Sequence, residues 1–114
     1  MLYTEVPEIT SDSELQATLS DNENVMLCVG RNGPMCLPVY DLMESMGPAY
    51  EHVTFRVMPF DLPVANAIRS MPEVRTFMGL PFTLYFKNGK VVEATSSIQN
   101  RDQVSAILEQ RFAA

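Results

Sequence analysis

Residues 25–30, VMLCVG, carry no polar side chain over six consecutive positions. A run of this length fits a strand covered on both faces, the environment of a central strand in an α/β domain. Such a strand needs helices above and below it. The flanking sequence must therefore supply apolar stripes at helical spacing as well as further strands.

Both are present. Ser11-Asp12-Ser13-Glu14 has the form of a capping box, with Leu15 and Leu19 on one face of the short helix that follows. Beyond the apolar run, Met35, Val39, Leu42, Met43, Met46 and Tyr50 recur at helical spacing. Gly47-Pro48 is expected to stop or kink that helix. In residues 53–58, Val53, Phe55 and Val57 alternate with Thr54 and Arg56, the pattern of a strand. Residues 64–71 are expected to be helical, with Pro72 interrupting them. FTLYF (82–86) and VVEAT (91–95) are β-rich and flank Asn88-Gly89, a hairpin signal because both turn residues tolerate positive φ. Asn100 to Gln103 forms a second capping box, before an apolar stripe of Val104, Ile107, Leu108 and Phe112.

The 114 residues fit one domain, 1–114, and 46% hydrophobic content supplies a core. A net charge of −6 argues against nucleic acid or an anionic membrane as partner, since both need clustered Lys and Arg. No apolar stretch approaches the roughly 20 residues that span a bilayer. The start, MLYTEVPEIT, has no basic residue followed by an apolar block, so no signal peptide is expected. Two cysteines do not make a disulfide framework, and the expected setting is a reducing cytoplasm. No Cys/His cluster has metal-ligand spacing, and His52 is the single histidine. No metal or other cofactor is expected.

Residues 79–89, GLPFTLYFKNG, carry the most specific pattern in the chain. They resemble the thioredoxin family's G-[IV]-P-T-x-x-x-[FY]-K-N-G segment, and from there to Phe112 the match needs no gap. The resemblance covers residues 9 to 112, including Asp61 at the end of the family's third strand, with a few extra positions in 62–78. It implies a thioredoxin-like α/β fold: a central mixed sheet of four to five strands flanked by helices on both faces. It further implies that Pro81 is the cis-proline facing the active-site motif.

The family's active site, W-C-G-P-C, falls in the stretch VGRNGPMCLPVY, 29–40. Matching the Gly-Pro pairs puts Asn32 and Met35 at the cysteine positions and turns Asp41 and Ser45 inward. Matching Cys36 to the second cysteine instead buries Leu42, Met43, Met46 and Tyr50. At about 1.5–3 kcal/mol per buried apolar side chain, the second register is favoured. Gly33 then occupies the place of the attacking cysteine and Asn32 that of the tryptophan. The family's buried aspartate and its lysine partner read Leu27 and Val57, and the glycine before the last helix reads Ser97.

Thiol–disulfide exchange needs one thiolate to attack and a second thiol to resolve. Gly33 cannot attack, so ordinary dithiol turnover is not expected. Cys36 is either a buried inert thiol at the helix start or a one-cysteine centre resolved by glutathione or a partner's thiol. Cys28 is expected to be a core thiol. A disulfide between Cys28 and Cys36 depends on an approach that the sequence does not establish. Met35 and Met78 differ from the other methionines: by resemblance they lie on the two loops that line the family's peptide groove. With Gly33, Pro34, Leu80, Pro81 and Phe82 they would form an apolar surface for a protein or extended peptide. The implied function is that of an adaptor, assembly factor or chaperone-like module. The alternative is a monothiol oxidoreductase or redox sensor acting through Cys36.

Overall fold

The computed structural model describes residues 1–113. In chain order the elements are α1 (Asp12–Asp21), β1 (Asn24–Gly30), α2 (Leu37–Met46), β2 (Thr54–Pro59), α3 (Ala65–Arg69), β3 (Phe82–Lys87), β4 (Lys90–Ser96) and α4 (Arg101–Arg111). The four strands form one sheet in the order β2-β1-β3-β4. β1 runs parallel to β2 and antiparallel to β3, and β3 pairs antiparallel with β4.

All seven residues of β1 are buried, and their alternation divides the interior into two layers. Met26 and Cys28 enter one apolar cluster with Val39, Tyr40, Met43 and Met46 of α2 and Val104 and Leu108 of α4. Val25, Leu27 and Val29 enter the other, with Leu15 of α1 and Ala65 and Ile68 of α3. The continuous apolar run is the sequence trace of a strand packed against helices on both faces.

The hairpin turn has Asn88 at φ 52° and Gly89 at φ 80°, the left-handed pair that its sequence favours. Pairing then slips between Tyr85 and Phe86, a bulge in the ladder. Asn100 and Gln103 close a full capping box on α4. At α1, Ser11 accepts the Glu14 N–H, but the Glu14 carboxylate reaches the Thr10 amide at 2.9 Å rather than that of Ser11. Before α1, Ile9 N–H donates to Val57 O and Val57 N–H donates to Pro7 O, so the N-terminal segment adds an isolated parallel bridge beside β2.

Further sequence expectations for the helices change. The helix over 64–71 shortens to five residues. Pro72 lacks an N–H and disfavours helical geometry at Met71. The stripe of α2 does not include Met35, which precedes the helix and is exposed. Fully buried Tyr40 takes a place in that stripe, while Leu42 and Tyr50 are half-buried.

Candidate functional site

Topology brings four loops to one edge of the sheet. These follow the carboxyl ends of β1, β2 and β4 and precede the amino end of β3. The stretch from Arg31 to Cys36 joins β1 to α2. Its turn is closed by the Cys36 and Leu37 amides, both donating to Gly33 O at 3.1 Å.

Cys36 stands at the N-cap of α2 with 3% of its surface exposed. The Arg31 N–H donates to its Sγ at 3.4 Å. One turn on, the buried Tyr40 hydroxyl donates to Arg31 O at 2.9 Å. Gly30 lies beneath both groups. A Cβ at this position would sit 2.6 Å from Tyr40 Oη and 2.8 Å from Cys36 Sγ. Gly30 is thus fixed by a close approach across the loop rather than by a turn. A Cβ at Gly33 would meet nothing within 4 Å.

Asp41 and Ser45 are exposed while Met43 and Met46 are buried, the arrangement of the Cys36-matched register. Leu27 and Val57 are both fully buried, one in each apolar layer. Cys28 is fully buried, and Thr83 donates its hydroxyl to the sulfur at 3.7 Å. Burial pushes the Cys28 thiol up to about 12, against its ordinary 9.0, so it stays protonated at neutral pH. Both cysteines are free thiols.

Opposite the motif loop, the Leu80-Pro81 peptide bond is cis and Pro81 is buried. Pro81 O accepts the Ser97 N–H at 2.9 Å, and Ser97 has φ 69°. That left-handed conformation is costly for serine and easy for glycine. Met35, Met78 and Ile98 are exposed by 42%, 99% and 45%. They sit on three of the four loops of this edge. Pro34 and Gly79 are exposed, and Leu80 is half-buried against both layers. Phe82 is placed differently from the sequence expectation. It is buried in the second layer, with ring centroids of Phe60 and Phe77 each at 5.8 Å, and its ring does not face outward with Met78.

Two participants escape sequence reasoning. Ile98 has no signal beyond its position before a capping box. The N-terminal arm is unpatterned, yet Leu2 is buried in the same layer as Cys36. Asn32 holds the arm: its Nδ2 donates to Met1 O at 2.9 Å and its Oδ1 accepts the Tyr3 N–H at 2.7 Å. Glu44 of α2 accepts the Thr4 hydroxyl and the Glu5 amide.

Among the described residues no group of acidic, His or Cys side chains is arranged to hold a metal ion. No helix among them is long and apolar enough to cross a membrane.

The sheet order, the helices on both faces and the cis-proline opposite a strand-turn-helix loop define the thioredoxin fold. A thioredoxin from Plasmodium falciparum superposes with a TM-score of 0.75 at 21% identity, over 93% of this chain and 99% of that one. A point mutant of the thioredoxin from Halobacterium salinarum gives 0.79 at 19% identity, over 95% and 91%. Mitochondrial thioredoxin 3 from Saccharomyces cerevisiae gives 0.74 at 16% identity, over 92% and 94%. No family model and no curated protein matches the sequence.

Proposed function

We propose that the chain is an atypical thioredoxin-like protein, a single domain working in the cytoplasm. It has lost dithiol catalysis and binds a protein or extended peptide at the edge formed by Gly33, Pro34, Met35, Met78, Leu80 and Pro81. The observation that carries this reading is the exposure of Met35, Met78 and Ile98 beside the buried Cys36 thiol. Methionine is unbranched and polarizable, and suits a surface that must accept varied partners. A contiguous exposed apolar patch marks an interaction site, and these three side chains stand on loops of one sheet edge. With Gly33 in the nucleophile's place, no intramolecular dithiol cycle can be completed. An adaptor, assembly-factor or chaperone-like role follows from that combination.

A second reading draws on the placement of Cys36 at the start of α2, with the Arg31 N–H donating to its Sγ. On this reading Cys36 exchanges with glutathione or with a partner's thiol.

One experiment separates the two. The immobilised protein is used to capture partners from lysate as wild type, as Met35→Asp/Met78→Asp, and after Cys36 is blocked by alkylation in Cys28→Ala. The binding reading expects capture to fail in the Asp variant and to survive alkylation. Capture that persists in the Asp variant and disappears on alkylation sinks it in favour of the monothiol reading. The purified wild type is expected to show no turnover of insulin disulfides, and turnover at the rate of a dithiol thioredoxin contradicts both.

A further inference from the structure

The segment 62–78, where the chain carries extra positions relative to the family it resembles, builds a cleft together with Phe60 and Phe82. Phe60, Arg69, Val74, Arg75, Phe77 and Phe82 line it, and its volume is about 200 Å³. Small-molecule sites run about 300–1,000 Å³, so this cleft suits one side chain rather than a cofactor.

Its floor is aromatic. Phe60 meets Phe82 edge-on at an interplanar angle of 76°, and Phe77 leans on the same ring at 45°. Its rim is cationic. The Arg69 guanidinium lies 5.1 Å from the Phe60 centroid, and its orientation is fixed by a hydrogen bond to Asn66 Oδ1. Arg31 lies at the same distance from Phe60, but Asp61 already engages it through two hydrogen bonds of 2.9 and 2.8 Å. That fork holds the Asp61 carboxyl below its ordinary range. Among the described residues neither Arg69 nor Arg75 forms an ion pair. Both side chains are exposed, in a chain whose net charge is −6.

We propose that this cleft docks an aromatic side chain of a partner polypeptide flanked by aspartate or glutamate. The ring packs edge-on against Phe60 and Phe77, and Arg69 and Arg75 receive the neighbouring carboxylate. Arg31 already offsets Asp61, so Glu73 is the one carboxylate of residues 60–78 left to set against Arg69 and Arg75. An excess of one positive charge remains, too little for a phosphate dianion and enough for a carboxylate. Docking here requires neither Met35 nor Met78.

The test is an NMR titration of the ¹⁵N-labelled full chain with two capped peptides, Gly-Asp-Phe-Asp-Gly and Gly-Asn-Phe-Asn-Gly. The acidic peptide is expected to give saturable shifts at the amides of Phe60, Arg69, Arg75 and Phe77. Arg69→Gln/Arg75→Gln is expected to weaken binding about ten-fold, in line with charge-assisted pairing at an interface. Lys90→Gln/Arg101→Gln removes the same charge elsewhere and is expected to leave binding unchanged. Any of four outcomes overturns the proposal: equal binding of the neutral peptide, an equal loss in the control variant, shifts confined to Met35, Met78 and Ile98, or no saturable shift at about 1 mM peptide. Phenylacetate binding as tightly as the acidic peptide also overturns it, by making the cleft a small-molecule site.

Discussion

Gly33 and Cys36 are joined by the geometry of a tight turn, with the Cys36 and Leu37 amides folded back on Gly33 O. Space at Gly33 is open, so a side chain there meets no obstacle. If Gly33 stands in the nucleophile's place, Gly33→Cys will form a disulfide with Cys36 on mild oxidation. Intact mass, lower by two hydrogens, and protection from alkylation read the bond directly, with Cys28→Ala as background. Asn32→Cys is expected to stay reduced under the same conditions; a bridge in that variant and none in Gly33→Cys would reverse the register. The buried face of α2 is legible in the sequence, because Met43 and Met46 against Asp41 and Ser45 leave little choice about which side packs inward. The burial of Cys36 is not legible. It depends on Gly30 admitting both the thiol and the Tyr40 hydroxyl, a contact between residues on different elements that no local pattern encodes.

The N-terminal arm has neither helical nor strand periodicity, and for that reason its docking cannot be read from sequence. Its anchors are the buried Leu2 and Val6, the Leu2 N–H bond to the Glu8 carboxylate, and side chains borrowed from elsewhere, Asn32 in the motif loop and Glu44 on α2. Asn32→Ala removes both bonds that Asn32 makes to the arm. The expected cost of losing the two is about 1–3 kcal/mol in urea unfolding, at about 0.5–1.5 kcal/mol per hydrogen bond. Heteronuclear NOEs at Tyr3 and neighbouring amides should fall as well. NOEs equal to those of wild type would mean that Leu2, Val6, Glu8 and Glu44 suffice to hold the arm. Elements with strong periodic or capping signals are easier to read. β1, the β3/β4 hairpin and the α4 capping box all stand where their residues place them. The helix expected over 64–71 is cut short because Pro72 limits it from its C-terminal side, and the following turns form the aromatic cleft instead.

At the scale of the whole molecule, the apolar layer between the sheet and α2 and α4 includes Cys28, Tyr40 and Tyr85. Burial raises all three above their ordinary values, Cys28 to about 12 from 9.0 and the two tyrosines upward from 10.0. The Tyr85 hydroxyl is buried with no hydrogen-bond partner among the described residues. In the unfolded chain these groups lose their protons at their ordinary values, while the folded chain keeps them protonated. Stability is therefore fully present below about pH 9 and falls as pH rises, through Cys28 first and then through the tyrosines. For Cys28 the rise from 9.0 to about 12 corresponds to about 4 kcal/mol by pH 12. That is a large part of the roughly 5–15 kcal/mol that holds a typical domain together. Urea midpoints followed from about pH 7 to pH 11 should be flat at first and then decline from about pH 9. Cys28→Ala shifts the whole curve by the constant cost of a small cavity, and it should flatten the decline between about pH 9 and pH 10. If the two curves stay parallel across that interval, the thiol ionises equally in both states and is open to water in the folded protein.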